Sequence, residues 1–476
     1  MIEGLNPYGE YKESGLPWLE QVPSHWRICR NGNLFTQRNQ TGYAELPILE
    51  VSLKTGVRVR DFLNSSRKQI MSDLSKYKRA VKGDAAYNMM RMWQGAIGVS
   101  PVDGLVSPAY VVLRPNPGVD ANFYSVLFRT GAYMSEIDNC SHGIVKDRNR
   151  LYWDQFKQMP SLLPPPDEQS AIVRFLDYAN RKIDRFIRSK RKLIVLLGEQ
   201  KQAIIHRAVT HGLNPNVPLK PSGIPWIGDI LAKWSTTRLK NMCRIRGGFA
   251  FKTDSFRDDG IPIIRMSNLR RGILDLSEAV RIASSDCVSG FELKKGDVLY
   301  GLSGSIGATG SLGNYAVVSN GDLPAQLNQR VARFRPDVRG LSIRFLVFLI
   351  QTSIFYDQVL ADTTGTAQFN VSTNNVGKVM FSLPTILEQT EICDWLENEL
   401  SKPNELVART EREIALMREY RTRLTADIVT GKLDVREAAA NLGKQDFSPI
   451  PDDTEATDAE ALDDAVITDE TATKEI

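Results

Sequence analysis

The sequence predicts an α+β protein with two similar mixed α/β domains, joined by two long antiparallel helices of coiled-coil type and related by a pseudo-twofold internal repeat. Three observations predict this architecture: a motif that occurs twice, two strand-rich segments with the same order of motifs, and a heptad pattern that closes each half. The duplicated motif recurs at a constant offset of 208 residues. It consists of Lys12, Ser14, Gly15, Pro17, Trp18 and Trp26 in the first half and of Lys220, Ser222, Gly223, Pro225, Trp226 and Trp234 in the second.

The strand-rich segments run from about residue 15 to 165 and from about 223 to 385. Both contain short apolar stretches broken by Gly, Pro, Asn and Asp, which is typical of short strands and turns. A Gly-Asp pair followed by a tyrosine occurs in each, as Gly83-Asp84 with Tyr87 and as Gly296-Asp297 with Tyr300. Apolar residues at helical spacing, from Phe123 to Met134 and from Ile343 to Val359, predict helices within both segments. The repeated tryptophans, such as Trp18 and Trp26, are predicted to be core anchors.

A heptad pattern over residues 168 to 209 predicts a long helix with one apolar seam, about 60 Å in length at about 1.5 Å per residue. Pro403 lies within the second copy of the pattern and predicts that a short first helix is split off there, because proline lacks the N–H group and clashes with the preceding turn. Neither seam is apolar all round, so each needs a partner, and the nearest one is the other copy. The predicted helix–helix and subunit interface consists of Leu176, Ile183, Phe186, Leu197 and Ile204 in the first copy and of Leu396, Leu406, Ile414, Met417 and Leu424 in the second.

Charge is distributed unevenly along the chain. Residues 446 to 476 hold eleven Asp or Glu and one Lys, so the first 445 residues carry a net charge of +14 although the whole chain carries +4. The tail has too few large apolar residues to offset its ordering entropy and is predicted to be disordered. A basic folded body favours an anionic partner, with nucleic acid as the leading candidate.

Motifs of catalysis and metal binding are missing from the sequence. It has no GxxxxGK[ST] phosphate loop and no HExxH, and its five cysteines never form a CxxC pair. With four histidines in all, the sequence does not favour a histidine-based metal site. The chain is therefore predicted to be non-catalytic and to bind no cofactor or metal itself. It has no run of eighteen apolar residues and no signal peptide pattern, which predicts a cytoplasmic protein that contacts no membrane.

Basic and amide side chains follow the same early strand in both halves, where a strand runs into a polar loop. Such side chains read base edges in the major groove or bind phosphates. An ordinary solvated loop explains the same pattern, and both interpretations stay open. The candidate DNA-binding residues after this strand are Lys54, Arg58 and Arg60 in the first half and Arg265, Asn268, Arg270 and Arg271 in the second. A second set of candidates follows Gly143 and Gly365: Lys146, Arg148, Gln368 and Asn370.

Taken together, these motifs resemble the specificity (S) subunit of type I restriction-modification systems over about residues 1 to 440. The resemblance rests on the start of each half, Tyr11 to Leu19 and Lys220 to Gly228, and on the Pro-Glu-Gln segments that introduce the long helices. These segments are Leu163 to Gln169 and Leu383 to Gln389, and both helices end in Val-Thr with Gly212 or Gly431 nearby.

The resemblance implies five segments. Residues 1–165 and 219–385 would be target recognition domains, each for one half of a bipartite, asymmetric DNA sequence. Residues 166–218 would form the central conserved helical region, residues 386–440 the distal one, and residues 441–476 the acidic disordered tail. The helices would set the gap between the half-sites and bind two modification (methyltransferase) subunits, which restriction subunits join.

S-adenosylmethionine, ATP and Mg would then be bound by those partner subunits and double-stranded DNA by the whole complex. Two alternatives remain. The chain could serve a methylation-only or other DNA-modification defence complex, or, in a different class, it could be a coiled-coil scaffold that binds no DNA.

Overall fold

The structure is a computed structural model, and it describes residues 5–53, 55–60, 74–141, 149–270, 272–306, 310–337, 340–361, 363 and 369–443. The chain divides into two compact units. Unit 1 comprises Met1–Lys192 with Glu411–Ile476, and unit 2 comprises Leu193–Thr410. Both boundaries fall inside a long helix, so each unit holds one globular module and parts of both long helices. The five-segment division stays a prediction, and its tail lies outside the described residues.

The first module has twelve strands and four short helices before the first long helix in the described ranges. Its strands are β1 Tyr11–Leu16, β2 Leu19–Pro23, β3 Arg27–Arg30, β4 Phe35–Arg38, β5 Leu49–Ser52, β6 Gly56–Val59, β7 Lys78–Ala80, β8 Ala85–Asn88, β9 Ile97–Val99, β10 Gly104–Val106, β11 Tyr110–Pro115 and β12 Pro160–Leu163. Its helices are α1 Asn31–Leu34, α2 Ala121–Leu127, α3 Gly131–Cys140 and α4 Trp153–Phe156, followed by the long helix α5 Pro166–His211.

The second module repeats this order. Its strands are β13 Leu219–Pro221, β14 Asp229–Leu231, β15 Ser235–Arg238, β16 Cys243–Gly247, β17 Ile261–Ile264, β18 Leu269–Arg270, β19 Ile273–Leu274, β20 Arg281–Ile282, β21 Val298–Gly301, β22 Ser303–Gly304, β23 Tyr315–Val317, β24 Gln326–Leu327, β25 Val331–Pro336, β26 Phe369–Asn370 and β27 Met380–Leu383. Its helices are α6 Leu239–Met242, α7 Ile343–Ile350, α8 Ser353–Ala361 and α9 Thr373–Lys378, followed by the long helix α10 Ile386–Val429 and by α11 Arg436–Ala440.

A four-stranded antiparallel sheet lies at the centre of each module. The strand order is β4-β11-β8-β9 in the first and β16-β25-β21-β23 in the second. Equivalent strands of the repeat occupy equivalent places, and a second antiparallel pair, β12 with β3 or β27 with β15, leads into the long helix in each case. The predicted fold class, with its internal repeat, is confirmed.

The repeated Gly-Asp motif forms the same turn in both modules. Gly83 and Gly296 have φ values of +91° and +84°, a backbone region that glycine enters without steric cost. The aspartates that follow are buried. Asp84 Oδ2 accepts from Val81 N at 2.9 Å and Asp297 Oδ2 accepts from Lys294 N at 2.8 Å. Each also pairs with an arginine of its own sheet, Arg38 or Arg335. The motif is therefore part of the sheet and not a ligand site.

The two long helices run antiparallel where they meet in unit 1. Asp184 pairs with Arg421, and the Lys190 Nζ atom lies 2.7 Å from Glu413 Oε2, so residue numbers rise along α5 as they fall along α10. In unit 2, Ile205 and Ala208 of α5 share a core with Leu396 of α10. The antiparallel pairing predicted from the seams is confirmed.

Pro403 does not split the second helix, contrary to the prediction. The helix α10 is continuous from Ile386 to Val429 with Pro403 inside it. Proline removes one helical hydrogen bond, to the carbonyl four residues earlier. The neighbouring Ser401, Lys402 and Asn404 are exposed, so water can solvate that carbonyl. Side chains on both sides of Pro403, among them Leu400 and Ile414, are buried, and their packing keeps the helix continuous.

The two helices predicted inside the modules from apolar spacing are each interrupted in the structure. Each predicted stretch is two helices, α2 with α3 and α7 with α8. A threonine causes each break, because its hydroxyl accepts from a backbone N–H at the start of the next helix: Thr130 from Tyr133 N and Thr352 from Phe355 N.

No single helix in the described ranges is long and apolar enough to cross a membrane. The two short helices α7 and α8, which are bent by 66° at their junction, reach the required length and apolar composition only when they are taken together.

Candidate nucleic-acid interface

The glutamines of the repeated Glu-Gln pair join each module to a long helix. Gln169, fully buried, accepts from Asp120 N at 2.8 Å and donates to the carbonyls of Gly118 and Pro164 at 3.1 and 2.9 Å. Gln389, also fully buried, accepts from Ser342 N at 2.8 Å and donates to Gly340 and Pro384 at 2.9 and 3.0 Å. Because every polar atom of the amide is used, the orientation of the module on its helix is fixed.

The glutamates of the same pair hold the repeated tryptophans. In unit 1 the Trp26 indole donates to Glu168 Oε1 at 2.9 Å, and Tyr8 and His25 also contact this carboxylate. In unit 2 the Trp234 indole donates to Glu388 Oε1 at 3.3 Å. Both indoles are buried. Burial and the bond to Glu168 raise the pKa of the Tyr8 hydroxyl far above its usual value, so Tyr8 stays a neutral donor.

Each module thus contacts the start of one long helix and the end of the other within its own unit. Trp26 bonds to Glu168 at the start of α5 and shares a core with Ile428 and Val429 at the end of α10. In unit 2, Trp234 bonds to Glu388 at the start of α10 and shares a core with Val209 at the end of α5. Trp26 and Trp234 are core anchors as predicted, and Trp18 is packed edge-on against Tyr133. Trp226 is not an anchor, since it is 54% exposed.

The start of α10 forms a capping box that is sensitive to acid. The Thr385 backbone and hydroxyl donate to Glu388 Oε2 at 3.1 and 2.9 Å, and Lys233 Nζ lies 2.5 Å from Glu388 Oε1. Burial by itself would raise the pKa of Glu388. The lysine, the two Thr385 donors and the Trp234 indole outweigh burial and lower this pKa from 4.5 to about 2.

Glu388→Gln is expected to flatten the acid dependence of stability. A carboxylate with a lowered folded-state pKa contributes stability that is complete above pH 4.5 and is lost as the pH falls to about 2. The wild type should lose on the order of 2 kcal/mol over this window through this group, and the variant should not. Urea unfolding at several pH values measures the difference, and Lys233→Met should show part of the same flattening. Equal pH slopes in wild type and Glu388→Gln would contradict the assignment.

Two candidate DNA-binding residues of the first module, Arg58 and Arg60, lie in and just after strand β6 of the β5–β6 hairpin. Arg58 Nε contacts Glu50 Oε1 across this hairpin at 2.8 Å, and its side chain is partly exposed. The half-buried Arg60 donates its backbone N–H to Ile48 O at 2.9 Å. The remaining candidates, Lys54, Lys146 and Arg148, lie outside the described residues.

In the second module, Asn268 has a structural role, which corrects the prediction that it binds DNA. It is 2% exposed. Its side chain accepts from Arg265 N at 2.9 Å and donates to Asp275 O at 3.0 Å. The amide therefore stabilises the loop between β17 and β19 and is not presented to a ligand. On the same loop, Arg265 is half-buried, whereas Arg270 is exposed beside Asp275 with an Nε–Oδ2 distance of 3.5 Å. Arg271 and Gln368 lie outside the described ranges.

Asn370 is brought together with residues that the sequence did not single out. Its Oδ1 atom accepts from Ser303 Oγ at 2.5 Å and from Arg330 Nη1 at 3.1 Å. The segment that contains the exposed Arg330 also pairs with Phe249. Because these residues come from four separate segments, no local sequence motif marks them. The sequence signal that could have pointed to them is an aromatic residue, Phe249, directly after the pair Gly247-Gly248.

The predicted seam residues fall into three groups. Their role in a subunit interface stays a prediction. In the structure, Leu176, Ile183, Leu197, Leu396, Ile414 and Leu424 are buried, Phe186, Ile204 and Met417 are half-buried, and Leu406 is exposed.

Metal-ligand groups and cysteines are the remaining side chains of interest in the parts of the chain that the structure describes. No group of three or more His, Cys, Asp or Glu side chains there could hold a metal ion. All five cysteines are free, and burial raises the pKa of the Cys243 and Cys393 thiols to about 12. Two copies of one module, each attached to helix ends by the same kinds of contact, define a protein of two repeated modules.

Comparisons with known proteins identify its relatives. Residues 232–415 match the family model of the type I restriction modification DNA specificity domain. The type I restriction enzyme MjaVIII specificity subunit of Methanocaldococcus jannaschii is 25% identical over 59% of this chain and 64% of its own length. The EcoAI specificity subunit of Escherichia coli is 25% identical over 47% of this chain and 38% of its own length.

A solved structure from work on complex assembly and conformational transition of the type I R-M system shares the fold. It has a TM-score of 0.57 and 17% identity, and the match covers 86% of this chain and 99% of that one. The resemblance drawn from the sequence is confirmed: the chain is related to the specificity subunits of type I restriction-modification systems. It spans less than two thirds of the length of the two curated relatives named above.

Proposed function

We propose that this chain is the DNA sequence-specificity subunit of a type I restriction-modification complex and recognises a bipartite, asymmetric target. The observation that carries the proposal is the duplicated module. The two copies are attached to the helices by the same Glu-Gln and tryptophan contacts, yet their loops carry different side chains. Similar attachment gives both modules the same function, and different loops give each its own half of the target.

The relatives named above support this proposal, since each is described as a specificity subunit. In the proposed complex the chain binds double-stranded DNA and two modification subunits in the cytoplasm, and restriction subunits join them. It is itself non-catalytic. Methyl transfer from S-adenosylmethionine and ATP- and Mg-dependent cleavage take place in the partner subunits.

Mapping methylated adenines genome-wide, in cells with and without this chain, tests the proposal. A bipartite methylated sequence that disappears with the chain supports it. Methylation without restriction of unmodified DNA would favour the methylation-only complex. If the assembled complex bound no specific duplex at any salt concentration, the scaffold alternative would replace both.

Exchanging residues 1–165 for the corresponding module of a relative is expected to change one half of the methylated target and leave the other half as it was. The reason is that each module has its own core and its own attachment to the helices. The reciprocal exchange of residues 219–385 is the control and should change only the other half. A change in both halves after either exchange would show that the modules do not read independently.

A further inference from the structure

An aromatic cluster with one exposed ring lies on the second module, where Phe291 packs against a buried core cluster. Phe249 is 38% exposed. Its ring centroid lies 5.1 Å from that of Phe251 and 5.5 Å from that of Phe291. The Arg246 guanidinium carbon lies 4.2 Å from the Phe291 centroid. The cluster therefore combines one exposed ring with a cation, an arrangement typical of stacking platforms for nucleic acids.

The backbone holds Phe249 firmly at the surface. Phe249 N donates to Leu327 O at 2.9 Å, and Phe249 O accepts from Gln329 N at 2.9 Å. At the preceding Gly248, a Cβ atom would lie only 2.1 Å from Asn328 O, so the backbone can approach this closely only at a glycine. The exposed ring is thus built into a rigid support, and little ordering entropy is lost when it contacts a ligand.

Polar side chains that can contact DNA lie in and beside the backbone segment that pairs with Phe249. Arg330, in the segment paired with Phe249, is exposed, and its Nη1 donates to Asn370 Oδ1 at 3.1 Å. Ser303 Oγ donates to the same oxygen at 2.5 Å. This hydrogen bonding orients the Arg330 guanidinium and leaves its other N–H donors for a ligand.

Charge favours a nucleic acid over a protein as the occupant. Arg246 lies over the Phe291 ring, and Arg330 belongs to the segment that pairs with Phe249. The part of the chain that the structure describes places no carboxylate in an ion pair with either arginine. Glu292 is nearby, but its Oε2 accepts from Gly290 N at 2.7 Å. Guanidinium groups that form no ion pair, next to an exposed aromatic ring, suit a polyanion that also offers flat bases.

We infer that Phe249, together with Arg246, Arg330 and Asn370, forms the DNA contact of the second module. Phe249 stacks on or inserts beside a base step, Arg330 and Asn370 contact the adjacent nucleotide, and Arg246 binds a phosphate. This assignment rests on the proposed function and gives it a site.

The test measures binding of the full chain, assembled with its modification subunits, to a duplex carrying the target found by methylation mapping. Phe249→Ala should raise Kd about 5- to 150-fold, because base–aromatic stacking is worth about 1–3 kcal/mol. Phe249→Trp should keep most of the affinity and Phe249→Leu should not. Arg330→Gln should weaken binding and relax one position of the second half-site, while the first half-site stays unchanged.

Trp226→Ala is the matched control, since Trp226 is an exposed aromatic residue elsewhere in the same module. It should leave Kd within about twofold of wild type. Thermal unfolding shows whether each variant is folded.

If the folded Phe249→Ala complex bound the target like wild type, the inference would be wrong and the proposed function would stand. A loss of assembly with the modification subunits at unchanged DNA affinity would assign the cluster to a protein partner and also overturn the inference. A wild-type complex without specific binding would instead refute the proposed function.

Discussion

Removing two residues from each long helix is expected to abolish target modification, whereas adding seven residues to each is expected to preserve it with a longer gap between the half-sites. In α5, Val195 and Leu196 are suitable for deletion because they are 59% and 52% exposed. In α10, Asn404 and Glu405 are exposed as well. Two deleted residues turn the following part of a helix by about 200°, which carries its apolar stripe away from its core.

Seven residues make two nearly complete turns, so the stripe returns to its place. They lengthen a helix by about 10 Å, which corresponds to roughly three base pairs of DNA. Both helices must change together, because each module contacts the start of one and the end of the other within its unit. Methylation mapping reads the gap directly.

Replacing the four deleted residues by alanine is the control for the loss of their side chains and should leave the target unchanged. If the seven-residue insertions and the two-residue deletions were tolerated equally, the helices would not set the gap.

Trp26→Ala is expected to destabilise unit 1 by about 3–5 kcal/mol, which is the usual cost of truncating a fully buried tryptophan. Trp26 is 0% exposed, packs against Tyr8 and Phe123, and donates to Glu168. Truncation leaves a cavity and removes one donor from a buried carboxylate. Urea unfolding followed by circular dichroism measures the loss in the transition of unit 1.

Trp226→Ala provides the matched control, because Trp226 belongs to the same repeated motif but is 54% exposed. Its expected cost is within about 0.5 kcal/mol. Similar losses for the two variants would mean that the motif stabilises the modules through something other than burial of the indole.

The sequence was sufficient for the parts of the fold that repeat or follow a period. The duplicated motifs predicted the two modules, and the heptad spacing predicted α5 and α10, because repeats and periods can be read from the order of residues in the sequence. The prediction that Pro403 splits the helix was wrong, because side-chain packing on both sides of the proline outweighs the free-energy cost of one lost hydrogen bond. The Glu-Gln pair was seen, but the contacts that Gln169 and Gln389 make to distant carbonyls are tertiary and leave no local pattern.

The candidate interface was harder to predict for the same reason. Arginine and asparagine next to a strand predict a base-reading loop only if they face solvent, and Asn268 faces inward. The cluster around Phe249 is formed by four segments that only folding brings together. A single exposed phenylalanine is ordinary in any sequence, and its significance depends on neighbours that are tens of residues away.

The beginning of the first module and the segment after α10 are joined without a covalent link. Asp434 N donates to Asn6 O at 2.8 Å, and the Tyr11 hydroxyl donates to Lys432 O at 3.1 Å. In the other half of the repeat, the peptide chain itself connects the end of α5 to the second module. Within each unit, the end of one long helix therefore lies next to the start of a module, through hydrogen bonds in unit 1 and through the peptide chain in unit 2. A rearranged gene that begins at the second module and joins residue 443 to residue 5 by a linker is expected to encode the same two modules.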